Sequence, residues 1–188
     1  MNTAEKLVNT AKEIATRPDA APDVDEVWEW LREVPDPEIP VVSVVDLGIV
    51  RDVYWDGDKG GDEGQVLVVT VTPTYSGCPA TSMIAFEIER AIREHGVERV
   101  RLETRLSPPW TTEWISEEGR EKLKSYGIVP PPKVRRLVER LSGAKAVVEC
   151  PRCGSENTAR VSEFGSTPCK ALYKCNDCLE PFDLFKCH

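Results

Sequence analysis

Histidine is close to missing from this chain, with His95 and His188 the two present. That scarcity excludes a helical di-iron centre built from paired Glu-x-x-His motifs. No nucleotide-binding glycine fingerprint occurs, which excludes a dinucleotide-dependent reductase of the usual kind. Positive charge is in deficit: the formal net charge is -8 and the pI about 5.0. A polyanion is therefore a poor main partner, and no basic stripe with stacking aromatics argues otherwise, so no nucleic-acid partner is expected. No apolar run approaches the length of a membrane span, so no membrane partner is expected either. The segment Met1 to Ala21 is broken by Glu5, Lys6, Lys12 and Glu13, lacks an apolar core of signal-peptide type, and points to a cytoplasmic protein. Internal repeats and low-complexity tracts are absent. Cysteine is almost absent too, but only from the first 149 residues, where Cys78 stands alone.

What is present is enough for one ordinary domain and a small appendage. The 188 residues are 40% hydrophobic and 30% charged, with a mean hydropathy of -0.34. Six of the seven cysteines crowd the end of the chain, where Cys150-x-x-Cys153 and Cys175-x-x-Cys178 form two knuckles. An odd count grouped in this way fits metal binding in a reducing compartment better than a disulfide framework.

Taken in order, residues 1–22 read as a flexible arm, with a short amphipathic helix over Thr3 to Thr16 using Leu7, Val8, Ala11 and Ile14. Asp23 or Asp25 is placed to cap a helix that runs to about Val34 and ends at prolines 35, 37 and 40. Gly48 marks a turn or close approach into a strand over Ile49 to Trp55. The Gly/Asp-rich stretch 56–64 then reads as a hairpin loop leading into an antiparallel strand over Gln65 to Thr72. Ala80 to His95 carries apolar residues at three- and four-residue intervals, a helical stripe closed by Gly96. Val100 to Leu106 alternates apolar and charged residues, the pattern of a strand with one solvated face. The order helix, strand, strand, helix, strand predicts an α+β fold over 23–128: a small mixed-sheet sandwich with helices on one side. Ser116 opens a further short helix through Lys124. A proline-rich linker and short helix over 129–146 then lead to a small zinc-ribbon-like β domain over 147–188.

The chain is organised around Val71 to Pro79, which joins the second strand to the second helix and carries Cys78. Pro79 suits the first helical position, so Cys78 is expected at the helix N-terminus. There the dipole and free N–H groups favour a thiolate over an ordinary thiol. The alternative is a small, inert, packed side chain. Asp46 lies in the longest apolar passage and needs a partner. It is either a cap on the turn beside Gly48 or a ligand or base beside Cys78. The loop from Ser107 to Trp114 is either an aromatic plug over the core or a contact surface.

In the tail, two knuckles brought face to face by a hairpin supply the four thiolates that tetrahedral zinc requires. Cys150, Cys153, Cys175 and Cys178 are therefore the expected ligands of a structural Zn. Cys169 and Cys187 remain, as packed thiols, alternates in that site, or ligands of a second centre. Two spare thiols do not complete an iron-sulfur cluster within one chain; sharing across a homodimer or with a client would.

The stretches Asp36-Pro37-Glu38 to Asp46-Leu47-Gly48 and Thr72 to Pro79 resemble the small domain of SufT-type proteins and of eukaryotic cytosolic iron-sulfur targeting factors. Leu106 to Ile115, Phe164 to Cys175, Glu180-Pro181-Phe182 and Phe185-Lys186-Cys187 narrow the resemblance to the PaaD (PaaJ) family of phenylacetate degradation. That resemblance covers about Val24 to His188. It implies a non-enzymatic accessory factor of the phenylacetyl-CoA epoxidase system, partnered with the epoxidase subunits and their iron-sulfur reductase. Its implied work is assembly of an iron-sulfur or iron centre through a transient cluster or iron bound at Cys78, with Asp46 positioning it or acting as second ligand. The competing implication is a non-catalytic structural subunit of the oxygenase complex, docked through Trp110 and Trp114.

Overall fold

A computed structural model of the chain describes residues 21–57, 65–75, 77–131 and 148–186. The helix expected over 3–16, most of the hairpin loop, the helical piece after Lys133, and Cys187 and His188 lie outside the described residues.

The first unit begins with helix α1, Val24–Arg32. Asp23 and Glu26 form a reciprocal capping box at its start, so orphan N–H groups at this end are satisfied from within the helix. Val27 and Leu31 are its buried residues. Strand β1, Val50–Asp56, pairs antiparallel with β2, Val66–Val71, and β2 pairs parallel with β3, Val100–Thr104. The sheet order β1-β2-β3 puts the most apolar strand in the middle, where five of its six residues are buried. Between β2 and β3 runs α2, Thr81–Glu94, whose Ile84, Ile88 and Ile92 repeat every four residues and face the core. The parallel pair needs such a crossover, and α2 supplies it. Helix α1 packs on α2 and β1, while α2 packs on β3, giving the expected layer of helices over a mixed sheet.

A turn of 3-10 helix, Thr112–Trp114, leads to α3, Glu117–Ser125, capped by the Ser116 side chain accepting from the Gly119 N–H at 2.8 Å. Gly48 makes the close approach here. Its φ is +63°, and a Cβ at that position would lie 2.5 Å from the Trp114 carbonyl oxygen. Only glycine satisfies both conditions without displacing backbone.

The second unit is a four-stranded sheet of order β4-β7-β6-β5, from β4 (Ile128–Val129), β5 (Thr158–Ser162), β6 (Lys170–Cys175) and β7 (Pro181–Phe185). The expected boundary at 128/129 falls within β4. Ile128 and Val129 form an edge strand parallel to β7, so the end of the first unit is already part of the second sheet. The two units also share a core. Phe185 is 1% exposed within the main apolar cluster and meets Trp110 edge-on at 6.0 Å between ring centroids. Arg120 fastens the same seam by donating to the carbonyls of Pro131, at 2.7 Å, and Thr112.

Candidate functional site

Cys78 lies on the turn before α2 and is half-buried. The helix begins at Thr81, so Pro79 occupies the preceding turn and not the first helical position. The Cys78 carbonyl accepts from the Thr81 N–H at 3.2 Å and the Thr81 hydroxyl at 2.9 Å, while its own N–H donates to the Tyr75 carbonyl at 3.0 Å. The turn is thus fixed from both sides.

Its ionisation differs from expectation. Burial pushes the Cys78 thiol above its ordinary value, opposed by a hydrogen bond from the Ala80 N–H and reinforced by the carboxylates of Glu38 and Asp36. The helix-terminus argument counts the N–H groups correctly but omits desolvation and two acids presented from another loop. The resting side chain is a thiol held near negative charge.

Those acids come from the Asp36-Pro37-Glu38 turn. Asp36 is buried and accepts from the N–H groups of Glu38, at 2.9 Å, and Ile39, at 2.8 Å. Burial nonetheless raises its pKa. Glu38, half-buried, is the carboxylate whose charge bears more on the Cys78 thiol than that of Asp36. The sequence pattern alone assigns Glu38 no role, although a carboxylate next to two prolines and an apolar run is the available signal.

Asp46 takes the capping role. Its carboxylate accepts from the Ser43 N–H at 3.0 Å, the Ser116 hydroxyl at 3.2 Å and Lys122 Nζ at 2.9 Å, while its own N–H donates to Ser43 Oγ at 3.0 Å. Burial alone would raise its pKa, but the hydrogen bonds from Lys122 and Ser43 outweigh that and hold it below the usual carboxylate range. Its bonds join the turn before β1 to α3; the acids that bear on Cys78 are Glu38 and Asp36. Gly119 permits this joint, since a Cβ there would sit 2.9 Å from the Asp46 carbonyl oxygen.

In the tail the four knuckle sulfurs converge. Cys150 and Cys178 Sγ are 3.7 Å apart, Cys153 and Cys175 Sγ 3.6 Å, and all four lie within 4.8 Å of one another. Four ligands on a tetrahedron with metal–sulfur bonds of about 2.3 Å have edges of about 3.8 Å. The sulfur cage is thus the size of one tetrahedral ion. The backbone N–H of Cys178 draws the Cys175 thiol down to about 7. Cys153, although it accepts from the Ser155 N–H, is pushed up to about 12 by the sulfurs of Cys178 and Cys175. Crowded thiols of this kind cannot all ionise without a cation among them. Around the cage, Asp177 holds Ser155 and, at 2.7 Å, the Asn157 amide, and Arg152 pairs with Glu180. The buried part is Val148, Cys150, Cys175 and Phe182.

Cys169 stands apart from that cage. It is 9% exposed in the main core, with Sγ 3.0 Å from the Thr167 hydroxyl and 3.6 Å from Glu38 Oε2. Burial first, and Glu38 in addition, raise its thiol to about 11. Cys187 lies outside the described residues. The aromatic loop is engaged internally: Trp110 is buried and donates from Nε1 to the Leu47 carbonyl at 2.8 Å, and Arg51 lies 3.6 Å over the Trp114 ring. Of its two readings, the plug describes Trp110.

Two families of known proteins match the chain. A family of iron-sulfur cluster assembly proteins matches residues 24–102, and the PaaD zinc beta ribbon domain matches residues 135–186. A protein of Escherichia coli (strain K12), named as a 1,2-phenylacetyl-CoA epoxidase subunit, is 45% identical over 168 residues, 89% of this chain and 95% of that one. The Fe-S protein maturation auxiliary factor YitW of Bacillus subtilis (strain 168) is 34% identical over 91 residues, 48% of this chain and 82% of that one. A solved domain of unknown function, DUF59, from Bacillus anthracis is 27% identical, covers 53% of this chain and 90% of its own, and superposes with a TM-score of 0.47. A chain that joins an iron-sulfur cluster assembly domain to a PaaD zinc beta ribbon, and shares 45% of its residues with the E. coli protein along nearly its whole length, belongs to the PaaD family.

Proposed function

We propose that this protein is a maturation factor, without catalytic turnover of its own, that assists assembly of an iron-sulfur or iron centre in the phenylacetyl-CoA epoxidase system. The observation that carries the reading is the contrast in thiols. Cys78 is half-exposed on a fixed turn beside Glu38, whereas the knuckle cysteines are already gathered into a closed cage. A half-exposed thiol that stays protonated until metal arrives binds its cargo at the expense of a proton and releases it as readily to a stronger ligand set. Support for the client comes from the E. coli relative, named as an epoxidase subunit, and for the chemistry from the B. subtilis relative, named as a maturation factor. The iron-sulfur reductase of the system is the proposed client, and the cytoplasm the proposed location. No described helix is long and apolar enough to cross a membrane.

The ribbon cage would hold zinc through Cys150, Cys153, Cys175 and Cys178. Zinc there supplies folding energy and no chemistry at the Cys78 turn. A cage of single-ion size supports one ion in preference to a cluster, whose thiolates bind different irons.

The test is made in cells that lack the native protein. A Cys78→Ser chain, folded and zinc-loaded, is expected to leave the reductase with most of its cluster missing, read from its absorption and iron content. Full cluster occupancy with the serine variant would remove this role. The name of the E. coli relative also favours a stoichiometric structural subunit. Activity of an epoxidase complex purified free of this chain speaks against that reading, and loss of activity on its removal speaks for it.

A further inference from the structure

We infer that the ribbon cage is a site of reversible oxidation by peroxides: Cys153 and Cys178 are attacked first, each closes a disulfide with the buried cysteine it touches on the opposite knuckle, and the zinc is expelled. The inference rests on the reading of the cage as a zinc site and is independent of any role for Cys78.

Each knuckle carries one buried and one exposed cysteine. Cys150 is 2% and Cys175 0% exposed, whereas Cys153 and Cys178 are open to solvent. The sulfur contacts cross between the knuckles and join unlike partners. Exposed Cys178 lies 3.7 Å from buried Cys150, and exposed Cys153 lies 3.6 Å from buried Cys175, sulfur to sulfur. A metal ion deprotonates the thiols that coordinate it, so in the filled cage all four sulfurs are thiolates. Attack by peroxide follows thiolate character and exposure, and a second thiolate in contact with the attacked sulfur supplies the resolving group. The cage combines all three conditions. Elsewhere among the described residues, Cys169 is buried in the main core, and Cys78 is half-buried and keeps its proton.

In the first step the exposed thiolate takes one oxygen of the peroxide. An S–O bond forms, the O–O bond breaks, and hydroxide leaves and is protonated by solvent. The buried thiolate then attacks the sulfenic sulfur: an S–S bond replaces the S–O bond, and a second hydroxide leaves. Two electrons pass from one sulfur pair to one peroxide, so two peroxides convert the four thiolates into two disulfides. Zinc loses its ligands and departs as the divalent ion. A dithiol reductant returns the electrons, and added zinc refills the cage.

The experiment treats full-length zinc-loaded protein with hydrogen peroxide, stops the reaction with catalase at intervals, and reads free zinc with a chelating dye. Remaining thiols are alkylated after denaturation and the peptides are mapped by mass. One zinc is expected for every four thiols lost, with Cys150 linked to Cys178 and Cys153 to Cys175. Cys78 and Cys169 should still be free thiols when the zinc is out, reacting about tenfold more slowly. Limited alkylation of untreated protein should mark Cys153 and Cys178 ahead of Cys150 and Cys175. Reductant with added zinc should restore both thiols and metal. Zinc held while Cys78 or Cys169 is oxidised overturns the inference, as do disulfides within a knuckle or sulfinic acids in place of disulfides. Metal analysis before the peroxide keeps the two readings apart. A cage isolated empty removes the zinc reading and this inference with it, whereas a zinc-filled cage that resists peroxide removes the inference alone.

Discussion

The two thiol regions of this molecule are built on opposite plans. In the ribbon, four sulfurs are gathered by two short turns into a cage with edges of 3.6 and 3.7 Å between Cys153 and Cys175 and between Cys150 and Cys178, and hydrogen-bonded side chains such as Asp177 brace the knuckles. Around Cys78, a single half-exposed thiol feels the charge of carboxylates from a different loop, and its proton is retained by burial and that negative charge. The first arrangement lowers the cost of keeping an ion, since all donors are in place before it arrives. The second raises the cost of holding one. On the function proposed above, one region keeps its metal while the other passes metal on.

The sharpest way to break this comparison is to take the ribbon metal away. Structural zinc in small four-ligand domains is worth on the order of 10 kcal/mol. The ribbon core of Val148, Cys150, Cys175 and Phe182 is too small to replace it. A strong chelator, or Cys175→Ser at the fully buried ligand, should unfold the ribbon cooperatively, seen as rapid proteolysis after residue 147. All five tryptophans precede residue 115, so their fluorescence reports the first unit alone. That signal should change little at Trp28, Trp30 and Trp55, with the shift confined to Trp110, which touches Phe185. A ribbon that stays protease-resistant without metal would end the idea of a permanent ion there.

How much of this could be read without the structure follows the range of the interactions. The sheet strands, α1 and α2 are written as local periodicity: alternating residues in β3, four-residue spacing of Ile84, Ile88 and Ile92 in α2, and the Asp23/Glu26 box at the start of α1. The cage is equally local, because each knuckle closes over a few residues and two knuckles define one tetrahedron. What could not be read depends on contacts with no periodic trace. Val129 reads as the start of a linker and Ile128 as the end of the first unit, and the two become an edge strand only because β7 is there to pair with. Asp46 meets Lys122 across 76 positions, and Cys169 meets Glu38 across 131. The raised thiol of Cys78 belongs to the same class. Its local helix terminus is visible in the sequence, while burial by the assembled core and charge from Asp36 and Glu38 are not.

A smaller effect is expected from loosening the seam between the two regions. Phe185 is fully enclosed by the main core and sits against Trp110, so Phe185→Ala removes a ring from a place that cannot refill it. The expected cost is about 4 kcal/mol of stability in the first unit, read from tryptophan fluorescence in urea. The same change should let the ribbon move relative to the Cys78 turn without releasing its metal, since Phe185 belongs to the main core and the four knuckle cysteines do not. Loss of zinc on this substitution would show that the two regions are one cooperative unit, and the contrast drawn between them would need to be given up.

The smallest effect lies in the scaffold of the first unit and is read through pH. Asp46 is held below its ordinary pKa by Lys122 and Ser43 despite its burial, so the folded state binds its proton less readily than the unfolded chain does. A depressed carboxylate of this kind contributes stability that is fully present above about pH 4, the unfolded value. That contribution is lost as pH falls through the lower folded value. Lys122 is itself 37% exposed, which screens the pair and limits its worth to about 1 kcal/mol. Asp46→Asn should therefore lower the stability read from tryptophan fluorescence in urea by that amount at pH 7. Below the folded value, where the native carboxyl is protonated as well, the difference should vanish. Lys122→Met should reproduce most of the neutral-pH loss while leaving the Ser43 and Ser116 bonds in place. If Asp46→Asn instead abolished the proposed metal handling at Cys78 with the stability unchanged, Asp46 would act on the thiol directly, and its place in the scaffold of the first unit would not be its main role.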